Sequence, residues 1–117
     1  MKLSEISKII DAEVLCCEEG LSTEISSAYG CDLMSDVLAF ASDQEMLLTG
    51  LLNTQTVRTA EMMDIKAITF VRGKKPGDDV IELASEKGIT LLSTSLTMFE
   101  ACGMLYSSGL GREKGGE

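Results

Sequence analysis

The stretch EMLLTGLLNTQTVRTAEMMDIKAITFV, residues 45–71, contains two short apolar runs on either side of a more polar segment. The runs EMLLT (45–49) and AITFV (67–71) have the length of strands, and their residues do not alternate regularly between apolar and polar. Runs of this kind are typical of strands that are buried on both faces, as in parallel sheets. The segment between them is long enough for a crossover helix, so the stretch predicts a β-α-β unit.

The intervening segment, TQTVRTAEMMD (54–64), has the spacing of an amphipathic helix. Its apolar positions Val57, Ala60 and Met63 recur every three residues and therefore fall on one face. Asn53 or Thr54 stands at the start of the helix, where a side-chain oxygen can accept a hydrogen bond from a free backbone N–H group.

Helices and strands continue to alternate on both sides of this unit. Pro76, two acids in the first turn and a closing glycine predict a helix at 78–88, with Val80, Leu83 and Ala84 facing inward. The other predicted elements are a helix carrying Leu3, Ile6, Ile9 and Ile10, strands at 13–17 and 25–30 around an acidic turn at 18–24, a helix at 33–41, a strand at 89–93 and a final helix at 96–109.

This order predicts an α/β protein, a three-layer α/β/α fold with a mainly parallel sheet of about four to five strands. The chain has 117 residues, a usual length for one domain. We expect a single domain over residues 1–111 and a disordered tail at 112–117.

Composition excludes several functional classes. The formal net charge is −9, which argues against nucleic acid as a partner, because binding phosphate backbones needs a basic face. The chain has no histidine, so the commonest general base and metal ligand is missing. The N-terminal segment lacks a signal-peptide pattern, and no uncharged run reaches the roughly 20 residues of a bilayer span. We therefore expect a cytoplasmic protein without membrane contact.

The four cysteines, Cys16, Cys17, Cys31 and Cys102, do not have the spacing of a metal site. In a reducing compartment, such residues are most simply small buried hydrophobic side chains. The sequence thus predicts neither a metal nor a cofactor. A redox or metal-carrying role for the cysteines is the alternative.

Ligands of open α/β sheets bind beyond the carboxyl ends of the strands. Four loops are predicted at that edge: GCD (30–32), TGLLN (49–53), RGKKPG (72–77) and STS (93–95). Each leads into a helix, whose free N–H groups favour an anion. The candidate ligand-binding residues in these loops are Asp32, Thr49, Gly50, Asn53, Arg72, Gly73, Ser93 and Thr94.

Residues 58–75 carry five of the ten basic residues and only two acids, a local excess of three positive charges in an acidic chain. Such a patch attracts a phosphate or a carboxylate, and Arg72, directly after a strand, is the best candidate to face a ligand. A solvated loop is the alternative. The glycine and lysine pattern of a phosphate-binding P-loop is absent.

Asp32 and Asp36 stand four residues apart at the start of a predicted helix. Asp32 is placed as an N-cap, and both carboxylates would complement the helix dipole. Alternatively, the pair carries out acid–base chemistry or holds a divalent ion.

The final helix is apolar nearly all round, with Glu100 as the one charged residue between Ile89 and Gly111. A helix of this kind is buried, either inside one core or between two copies of the chain. The candidate dimer-interface residues are Met98, Phe99, Cys102, Leu105 and Tyr106.

Three blocks, GCDLMSDVLAFA (30–41), LLTGLLNTQTVRTAEMMDIKAITFVRGKKP (47–76) and LLSTSLTMFEACGMLY (91–106), together resemble the DRTGG domain family. This module occurs beside CBS domains in some inorganic pyrophosphatases and in some phosphate acetyltransferases, and it is similar to the N-terminal domain of HPr kinase/phosphorylase. The resemblance implies an α/β domain that dimerises and has a regulatory or interaction role without kinase activity. Stand-alone versions occur in anaerobic bacteria. The string DRTGG is itself absent, and Thr49-Gly50 is the part that matches it.

Three functions are consistent with these features. The favoured one is a non-enzymatic regulatory module, a homodimer that binds a phosphate-bearing small molecule or another anion at the strand-end loops. The alternatives are a small enzyme that uses Asp32, Asp36 and Arg72 on a phosphorylated substrate, and a redox or metal partner protein.

Overall fold

The computed structural model describes residues 1–111, and the tail predicted at 112–117 lies outside the described residues. The helices are α1 (Leu3–Ile9), α2 (Met34–Phe40), α3 (Thr54–Met62), α4 (Asp78–Lys87) and α5 (Met98–Ser107). The strands are β1 (Glu13–Cys16), β2 (Ala28–Gly30), β3 (Met46–Thr49), β4 (Ala67–Phe70) and β5 (Thr90–Ser93). A short 3₁₀ helix, Glu18–Ser22, occupies the predicted acidic turn.

The five strands form one sheet in the order β1-β5-β4-β3-β2. Strands β2 to β5 are parallel, while β1 runs antiparallel to β5 at one edge. The predicted α/β fold with a mainly parallel sheet is therefore confirmed. Every residue of β3, β4 and β5 is buried, as their apolar runs predicted.

Helices cover both faces of the sheet and define two cores. Alternate strand residues point to opposite faces, so Leu48 packs with α1 and α5 on one side, and Leu47 packs with α2, α3 and α4 on the other. Phe70, at the end of β4, lies fully buried on the second side and is the largest of the fully buried side chains of residues 1–111. Within residues 1–111 the result is three layers, with two α-helices on one face and three on the other.

Most predicted boundaries agree with the structure within a few residues, and two details differ. The second strand begins at Ala28 rather than at residue 25, because the backbone N–H of Ile25 bonds instead to the carbonyl of Met1 at 2.7 Å. Leu83 is half-buried rather than inward-facing, whereas Val80 and Ala84 of the same helix are buried. Gly88 ends α4 as predicted, with a left-handed φ of 70°.

Candidate functional site

The carboxyl ends of β2, β3, β4 and β5 meet at one edge of the sheet because these strands are parallel. Ladder-like hydrogen bonds continue into the loops: the N–H of Val71 bonds to the carbonyl of Thr49 at 3.1 Å, and that of Thr94 bonds to the carbonyl of Phe70 at 2.9 Å. The four predicted loops are thus held beside one another at this edge, which we call the carboxyl edge.

Asp32 is not the N-cap of α2, contrary to the sequence-based expectation. The N-cap is Leu33, which has no side-chain oxygen to accept a hydrogen bond. Asp32 reaches across to the next loop instead, where its Oδ1 accepts hydrogen bonds from the Thr49 hydroxyl at 3.1 Å and from the Gly50 N–H at 2.7 Å. Asp36 does lie in the first turn of α2. One oxygen of Asp32 is therefore used by the contact with the next loop.

Arg72 has a left-handed backbone, φ 64°, and is followed by Gly73 at φ 70°. A non-glycine residue in this conformation is uncommon and is held in place by its surroundings. Here the N–H of Arg72 donates a hydrogen bond to the carbonyl of Leu96 at 2.7 Å. The N–H of Gly73 donates one to the carbonyl of Thr94 at 2.8 Å. The loop after β5 therefore fixes the direction in which the chain leaves β4.

The guanidinium of Arg72 lies directly against Gly50. A Cβ atom on residue 50 would come within 2.5 Å of Nη2 of Arg72, so a larger residue at this position would displace the guanidinium. The Arg72 side chain is exposed, and within residues 1–111 it forms no ion pair. The carboxyl edge thus presents a cation beside buried Gly50 and the exposed Asp32.

Two other members of the predicted basic patch form ion pairs. Lys75 pairs with Glu13 at 2.8 Å, and Lys66 pairs with Glu45 at 3.4 Å. These pairs are largely exposed, so each contributes little to stability, about 0–1 kcal/mol. They do, however, reduce the positive charge that remains for a ligand, and Arg72 stands out as the cation closest to the strand ends.

The hydroxyl groups of Ser93 and Thr94 are used within the fold. The Ser93 hydroxyl donates to the carbonyl of Lys74 at 2.9 Å. The buried Thr94 hydroxyl donates to the carbonyl of Ile10 at 2.6 Å and accepts from the N–H of Leu96 at 3.3 Å. The structure therefore brings Asp32, Thr49, Gly50 and Arg72 together, and it ties these two hydroxyls to backbone carbonyls.

Asn53 is the N-cap of α3. The sequence predicted either Asn53 or Thr54 for this role. Its side-chain oxygen accepts a hydrogen bond from the N–H of Thr56 at 3.1 Å. We expect Asn53→Ala to lower the free energy of unfolding by about 1 kcal/mol, because one N–H of the first turn loses its acceptor. Urea unfolding would measure this change. Asn53→Ser is the control, since it keeps a capping oxygen, and an equal loss in both variants would contradict the capping role.

A second feature lies on the opposite side of the sheet from α3, where α5 runs beside the edge strand β2. A groove of about 640 Å³ opens between them, and the side chains that line it carry no charge. Lining residues include Ala28 and Gly30 of β2, Leu48 of β3, and Met98, Phe99, Cys102, Gly103, Leu105 and Tyr106 of α5. We call it the β2–α5 groove.

Helix α5 is not buried throughout within a single copy of the chain. Phe99 is 87% exposed and Tyr106 62% exposed, whereas Leu105 is 2% exposed and belongs to the core of its own chain. Of the proposed interface residues, Leu105 can thus contribute only to the floor of the groove.

The apolar helix could be predicted from the sequence, but the groove could not, because it depends on how far α5 lies from β2. Gly30 marks instead the place where α5 contacts the end of β2, since a Cβ there would lie 2.9 Å from the Cys102 sulfur.

The cysteines are free thiols and are all partly buried. Burial raises the pKa of Cys102, and burial followed by the neighbouring Cys16 raises the pKa of Cys17 to about 11. These shifts disfavour the thiolate, which is the form that binds metals and reacts. Within residues 1–111, no three potential metal-ligating side chains of the His, Cys, Asp and Glu types come together. None of the helices in that range is long and apolar enough to span a membrane.

Comparison with known proteins gives a family and a fold. The family model described as the DRTGG domain matches residues 5–108. Among solved structures, the chain is similar to the CBS and DRTGG domains of the regulatory region of Clostridium perfringens pyrophosphatase, complexed with its activator, diadenosine tetraphosphate. The TM-score is 0.75 at 18% sequence identity, with 96% of this chain and 49% of that chain covered. The chain thus spans about half the length of that structure. Curated proteins give no match.

Proposed function

The chain belongs to the DRTGG domain family, and from this premise we propose that it is a cytoplasmic, non-enzymatic regulatory module that works as a homodimer. The proposed ligand is a phosphate-bearing small molecule or another anion, and it binds at the carboxyl edge. Residues 1–111 form the single domain that carries this function.

The observation that carries the ligand site is the position of Arg72. Its guanidinium is exposed, lies against Gly50 at the strand ends and has no ion-pair partner within residues 1–111. A guanidinium forms two parallel hydrogen bonds to a phosphate or a carboxylate, which makes arginine well suited to anions.

Asp32 sets the chemical preference of this site. Its carboxylate lies close to Arg72 through their shared contacts with Gly50, and it would repel a bare anion. A ligand that presents both a phosphate to Arg72 and a hydrogen-bond donor to the outer oxygen of Asp32 fits better. Nucleotides combine these groups, and the related pyrophosphatase region was crystallised with a nucleotide activator.

Replacement of Arg72 with alanine tests this proposal. Isothermal titration calorimetry would use diadenosine tetraphosphate, ATP and inorganic phosphate as probes. We expect the wild-type protein to bind at least one probe, and Arg72→Ala to weaken that binding at least tenfold, because a charge-assisted hydrogen bond is worth about 1.5–3 kcal/mol. Unchanged affinity would exclude the carboxyl edge as the site.

Lys75→Ala is the matched control. It removes one positive charge from the same loop, and Lys75 already pairs with Glu13 at 2.8 Å. We expect its effect on affinity to stay within about threefold, as is usual for an exposed ion pair. An equal loss in both variants would mean that the loop acts only through its total charge.

A further inference from the structure

Asp32 and Arg72 carry opposite charges at the carboxyl edge, and they do not pair with each other. Both side chains are exposed, and both lie against Gly50. No ion pair joins them in the part of the chain that the structure describes. Two opposite charges that stay apart on either side of one residue leave a gap between them, which a polar group of a ligand can enter.

The contacts with Gly50 set the width of this gap. Oδ1 of Asp32 lies 2.7 Å from the Gly50 nitrogen, and Nη2 of Arg72 would lie 2.5 Å from a Cβ atom on the same residue. Two covalent bonds join that nitrogen to that Cβ, so Oδ1 lies within about 8 Å of Nη2. Since the two groups form no ion pair, their separation exceeds about 4 Å. The gap therefore has the width of one small polyatomic group.

The two sides of the gap require different hydrogen-bonding partners. Oδ1 of Asp32 already accepts hydrogen bonds from the Thr49 hydroxyl and the Gly50 N–H, and the second carboxylate oxygen has no partner among residues 1–111. A carboxylate oxygen only accepts hydrogen bonds, and a guanidinium only donates them. An occupant of the gap therefore needs an acceptor for Arg72 and, close beside it, a donor for Asp32.

A phosphate group that keeps one proton meets both requirements. Its unprotonated oxygens accept from a guanidinium, and its P–O–H group donates to a carboxylate. Two such hydrogen bonds, made by two oxygens of the same phosphorus, join atoms that are about 5–8 Å apart. This span matches the width of the gap.

We propose that the carboxyl edge recognises one monohydrogen phosphate group, which accepts from Arg72 and donates its P–O–H hydrogen bond to Asp32. The group belongs either to inorganic phosphate or to the end of a phosphomonoester. This inference rests on the anion site of the proposed function and names the chemical group that the site selects. Asp32 is then the residue that determines specificity, because an anion without a proton meets an unpaired carboxylate.

Sulfate is the matched probe for this selectivity. In mildly alkaline buffer, inorganic phosphate and sulfate are both tetrahedral anions with two negative charges, but sulfate has no proton to donate. We expect the wild-type protein to bind inorganic phosphate at least tenfold more tightly than sulfate, because sulfate leaves the Asp32 carboxylate unpaired and repelled. Titrations followed by NMR at the backbone amide of Gly50 would measure both affinities and would report on the site itself.

Asp32→Asn tests the role of the carboxylate. The Gly50 N–H can only donate, so the amide oxygen of asparagine keeps the contact with Gly50 and its NH₂ group faces the gap. The outer group thereby changes from an acceptor to a donor, which suits sulfate as well as phosphate. We expect the ratio of the two affinities to fall at least tenfold. Circular dichroism and urea unfolding would show that the variant keeps its fold.

Two further variants are the controls. Asp36→Asn removes the same charge from the first turn of α2, and a change in the long-range field acts alike on two anions of equal charge. The ratio of the two affinities should therefore stay the same. Arg72→Ala should weaken phosphate and sulfate by similar factors. A comparison with glycerol 3-phosphate identifies the source of the group, since tighter binding of inorganic phosphate indicates the free anion and tighter binding of the ester indicates a phosphomonoester.

The outcomes separate this inference from the proposed function. Equal binding of phosphate and sulfate by the wild type, or a phosphate preference that survives in Asp32→Asn, would overturn the inference. If Arg72→Ala still weakened both anions, the proposed anion site would stand. Binding of ATP or diadenosine tetraphosphate without binding of inorganic phosphate would also overturn the inference and would place the hydrogen-bond donor elsewhere on a nucleotide. A wild-type protein that binds none of these probes would overturn the inference and the proposed anion site together.

Discussion

Replacement of Phe70 with alanine is expected to lower the free energy of unfolding by about 3–5 kcal/mol, the largest effect that we predict for a single substitution in this chain. Phe70 is fully buried at the end of β4, in the core formed with α2, α3 and α4. Alanine removes the ring and leaves a cavity, since a packed core closes only in part around lost atoms. The total free energy of unfolding of a domain of this size is about 5–15 kcal/mol. The variant should therefore remain folded but be only marginally stable.

Urea unfolding followed by circular dichroism would measure this loss. Phe70→Leu is the matched control, and its cost should be much smaller, because leucine fills most of the same space. Leu38, which is 43% exposed on α2, provides a surface comparison: Leu38→Ala should change stability little. If Phe70→Ala cost no more than Leu38→Ala, the second core would not be packed as the structure describes.

The sheet could be predicted from the sequence because its signals are local and strong. The runs at 45–49 and 67–71 are apolar over the length of one strand, and they became β3 and β4, buried at every position. Helix ends could also be predicted where one residue sets the backbone conformation, as the left-handed Gly88 does at the end of α4. The antiparallel pairing of β1 with β5 could not be predicted, because the hydrophobic pattern of a strand does not specify its direction or its neighbour.

The candidate site was predictable only in outline. Parallel strands dictate that their carboxyl ends meet, so the four loops were found without coordinates. Long-range hydrogen bonds decide which side chains of these loops face solvent. The spacing of residues along the sequence does not reveal such bonds. Asp32 was placed as a helix cap and instead holds the neighbouring loop at Gly50, 18 positions further along the chain. Arg72 was identified correctly as lying at the strand ends, but its contact with Gly50 required the fold.

Thr94 provides the clearest case in which a polar residue at the carboxyl edge has a structural role, and Thr94→Val is our second large prediction. Its hydroxyl is buried and donates to the carbonyl of Ile10, 84 positions away, at 2.6 Å. This bond attaches the end of α1 to the loop after β5. Valine leaves that carbonyl without its donor in a buried setting, and the N–H of Leu96 loses its acceptor as well. We expect the free energy of unfolding to fall by about 2–3 kcal/mol.

The same variant distinguishes a structural residue from a ligand-binding one. If Thr94 acts only through the fold, Thr94→Val should unfold at a lower urea concentration while the folded protein binds the nucleotide probes with unchanged affinity. Thr94→Ser keeps the hydroxyl and should retain the larger part of the stability. Ser93→Ala, which removes a hydroxyl bonded to the Lys74 carbonyl at 2.9 Å, should cost less because Ser93 lies nearer the surface. A loss of affinity in Thr94→Val at full stability would instead place this hydroxyl in the ligand site, beside Arg72.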